Sequence, residues 1–158
     1  MRAGSFYQNY RVVTLLVVHC SATRYDRDFP VDALRRCHLQ RGFASIGYHF
    51  YITRDGEVHI CRPVHQIGAH ATGWNDKSIG ICYEGGLDCK GHPKDTRTEW
   101  QKHSMRVLIL TLLKDYPGCR ICGHRDLSPD LNGNGEIEPE EWIKACPCFN
   151  AEKDWGKV

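Results

Sequence analysis

No stretch of this chain is long and apolar enough to cross a membrane. The longest apolar run, Val12 to Val18, is broken only by Thr14 and is far short of the ~20 residues a spanning helix needs. Membrane insertion is therefore not expected. Arg2 and Arg11 precede the run as in an export signal, but His19-Cys20-Ser21 follows it in place of a small-residue cleavage site. The run reads instead as a buried strand, and no export signal is visible. An excess of either charge is lacking as well, with 21 Lys and Arg against 19 Asp and Glu. A formal net charge of +2 gives no basis for nucleic-acid binding, although it permits weak attraction to an anionic polymer. Repeats, low-complexity tracts and linkers are absent, and 158 residues suit one domain spanning 1–158 rather than two.

Cysteine, by contrast, is abundant. There are nine, an odd number, at positions 20, 37, 61, 82, 89, 119, 122, 146 and 148. In a small secreted protein they would suggest a disulfide framework. Several fall inside strand- or helix-like runs, as small buried thiols do. With no export signal, the reading is a reduced protein in which one or two thiols do metal chemistry.

The pattern alternates strands with helices. Val12–His19, rich in Val and Leu, suits a central strand buried on both faces. Val31–Gln40 reads as a helix, with Asp32 early and Gly42 just past its end. Tyr48–Arg54 and Glu57–Ile60 read as two strands joined at Asp55-Gly56, a pair that tolerates positive φ. Ser78–Tyr83 is a further strand, ended by Gly85-Gly86. Thr98–Tyr116 is a helix: Thr98 and Gln101 form a capping box, Met105, Leu108, Ile109, Leu112 and Leu113 share a face, and Pro117-Gly118 stops it. Arg120–Cys122 reads as a brief strand, and a short helix is expected from Pro139 to about Lys144. The result is an α/β (α+β) single domain, with helices packed on a central mixed sheet.

Three positions are candidate metal ligands: His19 at the end of the first strand, His124 after the Arg120–Cys122 strand, and Cys146 in a later loop. Catalytic zinc is commonly held by three such ligands, with the fourth position left for water. Spacing alone is weak support, because a histidine at a strand end is more often a hydrogen-bonded structural residue. A four-cysteine site from Cys119, Cys122, Cys146 and Cys148 is disfavoured, since residues three apart on a strand point to opposite faces.

Four stretches carry more: Val17-Val18-His19-Cys20-Ser21-Ala22-Thr23, Ile46-Gly47-Tyr48-His49-Phe50, Ser78-Ile79-Gly80-Ile81-Cys82 with Gly85-Gly86, and Lys144-Ala145-Cys146-Pro147. In order and separation, from about Arg11 to Trp155, they resemble the type 2 zinc amidases, which include amidase-type phage lysozymes and peptidoglycan recognition proteins. The resemblance implies Zn2+ held by His19, His124 and Cys146, with Tyr48 and Lys144 beside it as catalytic residues. It also implies a groove for peptidoglycan muropeptides bordered by His70, Trp74 and Asn75. The implied reaction is hydrolysis of the amide between N-acetylmuramic acid and L-alanine. Zinc would polarise the carbonyl and lower the pKa of water. Lys144 would stabilise the oxyanion, and Tyr48 would orient water or pass a proton. His70 either touches substrate or braces its loop. One departure stands out: Cys148 follows Pro147 where the phage lysozymes carry Ser, so it could compete with Cys146 for the metal.

Between His124 and Cys146 the chain reads Asp130-Leu131-Asn132-Gly133-Asn134-Gly135-Glu136-Ile137-Glu138-Pro139-Glu140-Glu141. This insertion, at about 130–141, fits a calcium loop position by position. Asp130, Asn132 and Asn134 fall at the first ligand positions and Gly135 at the sharp turn. Glu136 offers its backbone carbonyl, and Glu141 is the bidentate acid. Ca2+ bound there would have a structural role, anchoring the segment that carries Lys144 and Cys146, although Ser128-Pro129 replaces the usual entering helix. The alternative to an enzyme is a module of the same fold that binds peptidoglycan without cutting it. A monomer is expected, made in the bacterial cytoplasm and acting on the cell wall. It would arrive there by assisted export or, as a phage or prophage lysis protein does, after a partner permeabilises the membrane.

Overall fold

The computed structural model describes residues 11–155, so Arg2 lies outside the described residues. Leu15–Cys20 forms β1, and every residue of it is buried. The sheet order explains why. β1 lies between β5 (Ser78–Tyr83) and β7 (Arg120–Gly123) and is parallel to both, with β3 (Phe50–Ile52) beyond β5 and β4 (Val58–Ile60) at the edge. β3 runs parallel to β5, and β4 is antiparallel to β3. The sheet is therefore mixed through a single edge hairpin, turned at Gly56 with φ +86°. A strand with parallel neighbours on both sides is covered on both faces, which its unbroken apolar run had implied.

The two-residue period of β1 divides the molecule. Leu16, Val18 and Cys20 face the main core with Ile79, Ile81 and Tyr83 of β5. There they meet Met105, Ile109 and Leu112 of the long helix α2 (Glu99–Asp115). Leu15 and Val17 face the other way, into a small cluster with Cys122. His19 shares their parity. On the same side of the sheet, α1 (Val31–Gln40) buries Leu34 against Ile46, Tyr51 and Cys82.

The capping box at Thr98 and Gln101 is present. Gln101 also reaches past its helix: its buried side-chain amide donates to Ile52 O at 3.1 Å and Glu84 O at 2.9 Å. The expected helix over Pro139–Lys144 is instead a single 3-10 turn, Pro139–Glu141. Its physical reason is Glu141, whose carboxylate accepts the backbone N–H groups of Leu131, Asn132 and Glu138. Trp142 then turns extended, and the chain leaves towards Cys146. Three elements escape the sequence pattern: the two-residue parallel strands β2 (Thr23–Arg24) and β6 (Gly86–Leu87), which pair with each other, and a terminal helix α3 (Ala151–Trp155). Among the described residues no helix is long and apolar enough to cross a membrane.

Candidate metal centre and cleft

β1 and β7 are adjacent and parallel, with Val18 paired to Gly123, so their C-terminal ends lie side by side. His19 is the last but one residue of β1, and His124 opens the 3-10 turn His124–Leu127 that follows β7. That turn is fixed by Asp126, which accepts the Gly123 N–H at 2.6 Å. The two imidazole rings are 4.6 Å apart between centroids. Cys146 arrives from the C-terminal loop, which is tied down twice. Arg125 N donates to Cys146 O at 2.8 Å, and the Tyr83 hydroxyl donates to Pro147 O at 2.8 Å. One ligand atom from each of His19, His124 and Cys146 lies within 4.8 Å of the others, the one such group of three His, Cys, Asp or Glu residues among the described residues.

The electrostatics suit a cation. His19 is held neutral well below the usual imidazole range, first by burial and then by His70, His124 and Lys144. Burial and then Lys144 lower His124. Neutral imidazole is the form that binds metal. The Cys146 sulfur is 3.8 Å from His19 Nδ1 and accepts the Cys20 backbone N–H at 3.2 Å.

Cys148 goes elsewhere, its sulfur 3.8 Å from that of Cys20. Cys119 Sγ donates to Val13 O, and Cys122 is fully buried among Leu15 and Val17. The four cysteines of the rival site therefore do not converge. All nine cysteines are free thiols.

A cleft of about 640 Å³ opens over the three residues. Tyr48 and Lys144 both line it. The Tyr48 ring is 5.0 Å from that of His19. Its hydroxyl is held protonated well above the usual phenol range, first by burial and then by nearby thiols. Lys144 is exposed at the rim, close enough for its charge to depress both histidines.

His70, Trp74 and Asn75 also line the cleft, but their surroundings differ from what the sequence suggested. Asn75 Oδ1 accepts the backbone N–H groups of His70 and Ala71 at 2.8 and 2.9 Å, so this side chain braces its own loop. Trp74 is half-buried against the Leu15–Val17 cluster, with Lys77 Nζ 4.6 Å from its ring centre. His70 points at His19. Sequence reasoning missed His38, Arg41 and Phe43, which reach the cleft from the end of α1 and the loop after it. His38 Nδ1 accepts the Gly47 N–H at 2.9 Å and so anchors the residue before Tyr48.

The 130–141 loop closes on protein groups. Asp130 accepts from Gly133 N and Gly135 N, Asn132 from Asn134 N, and Asn134 from Glu136 N. The amides of Asn132 and Asn134 donate to Glu138. The carboxylates of the loop do not form a three-residue ligand group of the kind made by His19, His124 and Cys146.

Residues 9–141 match the N-acetylmuramoyl-L-alanine amidase family, a span that holds His19, Tyr48 and His124 and stops short of Lys144 and Cys146. The endolysin of Escherichia phage T7 is 37% identical over 142 residues, covering 90% of this chain and 85% of that protein. The solved structure of the N-acetylmuramoyl-L-alanine amidase LysC from Clostridium intestinale URNW superimposes with a TM-score of 0.69 at 26% identity, over 92% of this chain and 83% of the other. The Drosophila peptidoglycan recognition protein PGRP-LB shares the fold, with a TM-score of 0.65 at 23% identity over 86% of this chain and 75% of its own.

Proposed function

Because the chain belongs to the N-acetylmuramoyl-L-alanine amidase family, we propose that it is a zinc-dependent hydrolase of bacterial cell wall. It cuts the amide bond between N-acetylmuramic acid and L-alanine of peptidoglycan. The observation that carries the zinc reading is the convergence of His19, His124 and Cys146 at the floor of the cleft. Two imidazoles and one thiol fit the catalytic pattern of three protein ligands with one position left open. When bound, zinc supplies a Lewis acid and lowers the pKa of water towards ~7.

The chain's own residues supply the remainder. Lys144, two residues before Cys146, presents a positive charge where the carbonyl oxygen gains negative charge as water adds. Tyr48 is protonated before the reaction, so its hydroxyl donates a hydrogen bond to the leaving nitrogen as the carbon–nitrogen bond breaks, and a proton it passes there is restored by the one the attacking water loses. Trp74, at the cleft wall, offers a stacking face to a sugar. The single domain acts as a monomer.

Calcium in the 130–141 loop is a separate proposal, supported by the ligand pattern alone.

The function is tested by digesting purified sacculi, with and without a zinc chelator, and analysing the products by mass spectrometry. Stem peptides that begin with a free L-alanine amine, released only when zinc is present, are expected. Intact sacculi that nonetheless retain the protein would assign a binding module instead.

A further inference from the structure

His70 has no place in the chemistry above, yet it is among the most constrained side chains of the cleft. Its Nδ1 is 2.9 Å from Nε2 of His19, and its Nε2 is 3.3 Å from the hydroxyl of Ser78. Ser78 is fully buried at the start of β5 and paired in register with Leu15 of β1. The His70 ring fills a slot made by two missing side chains. A Cβ on Gly68 or on Gly80 would lie 2.7 Å from the ring's Cδ2. The backbone is pinned from the other side, where Asn75 Oδ1 accepts the His70 and Ala71 N–H groups. A side chain held on three sides is poorly suited to follow a mobile substrate, and well suited to hold another residue still.

The other end of the contact shows which residue that is. His19 turns Nδ1 towards the Cys146 sulfur, 3.8 Å away, and Nε2 towards His70. If Nδ1 is the ligating atom, Nε2 must carry the ring proton, and only an acceptor can face it. His70 Nδ1 is that acceptor, provided its own proton is on Nε2, where Ser78 receives it. The chain Ser78–His70–His19 therefore fixes both the tautomer and the rotation of the first zinc ligand.

We propose that His70 is a positioning residue for the metal, acting through His19. The proposal rests on the reading that zinc binds His19, His124 and Cys146. Hydrogen-bond partners of this kind change metal affinity by roughly 10–100-fold when removed.

The test measures zinc affinity by competition with a chromophoric chelator, alongside melting of the metal-free protein. His70→Phe keeps a ring in the slot and removes the acceptor, whereas His70→Asn presents its Oδ1 close to the position of Nδ1. Both lose the bond to Ser78, so their difference isolates the contact to His19. Zinc binding is expected to weaken about 10–100-fold in His70→Phe and to recover most of that loss in His70→Asn, with similar melting of the two metal-free variants. Gly80→Ala, which pushes on the His70 ring and does not line the cleft, should weaken zinc binding as well. Wild-type zinc affinity in His70→Phe, with only KM for peptidoglycan raised, would overturn the proposal and return His70 to the substrate. A wild-type protein that binds no zinc would overturn the underlying metal reading, and the proposal with it.

Discussion

Cys146 and Cys148 are two residues apart on one loop and both reach Cys20, but it is the Cys146 sulfur that also meets His19. Cys146 meets His19 and the Cys20 N–H, while Cys148 meets the Cys20 thiol. The resemblance put the ligand at Cys146, where Lys144-Ala145-Cys146-Pro147 sets the register, and left Cys148 as a competitor because a turn around Pro147 has no periodicity from which to read direction. His19 was easier to place, since a polar residue closing an apolar strand must lie at its edge. His38, Arg41 and Phe43 were not legible. The apolar pattern of α1 shows which face is buried and says nothing about what its last turn abuts. At this scale the account makes a paired prediction. Tyr48→Phe should lower turnover by about 10²–10⁴-fold, and Lys144→Ala by about 10²–10³-fold. Zinc content measured by mass spectrometry should stay at the wild-type level in both. Turnover near wild type in either variant would reduce that residue to a lining group.

Among the elements, α2 was the most readable, because its cap, its stripe and its stop all agree. What the stripe could not show is that Gln101, read only as a cap, is buried and donates to the ends of β3 and β5. Gln101→Ala keeps the Thr98 cap on the Gln101 backbone N–H but takes away the acceptor of Thr98 N, and it leaves the carbonyls of Ile52 and Glu84 without that donor, at ~1–3 kcal/mol for each buried group left unpaired. Melting should fall by on the order of 5–10 °C, with zinc affinity unchanged; a fall under about 2 °C would show that water replaces the amide. The segment after Pro139 was misread as a helix because Pro-Glu-Glu is a sound helix start. Glu141 caps that start through the Glu138 N–H, but it also folds back on the amides of Leu131 and Asn132, contacts that no local propensity encodes. If calcium takes up this loop, isothermal titration should register binding and the melting temperature should rise with it. Binding without a change in melting would deny the ion its anchoring role.

At the scale of the whole molecule, the fold follows from one strand. An apolar β1 demanded neighbours on both edges and cover on both faces, and the parallel sheet β3-β5-β1-β7 supplies them. Parity then sends Leu16 and Val18 to the main core and His19 to the opposite side, where the C-terminal ends of β1 and β7 bring two histidines together. The strand order itself was not readable, since β5 and β7 are equally plausible neighbours for any of the apolar strands. The short pair β2 and β6 and the helix α3 were missed for a different reason: two to five residues carry too little pattern to register against either period. The central claim, one zinc on His19, His124 and Cys146, is tested most directly by X-ray absorption at the zinc edge of the purified protein. The expected spectrum has one sulfur at ~2.3 Å and two imidazole nitrogens at ~2.0–2.1 Å around the metal, completed by a light atom. Two or more sulfurs around the metal would bring Cys148 or Cys20 into the site, and would contradict it.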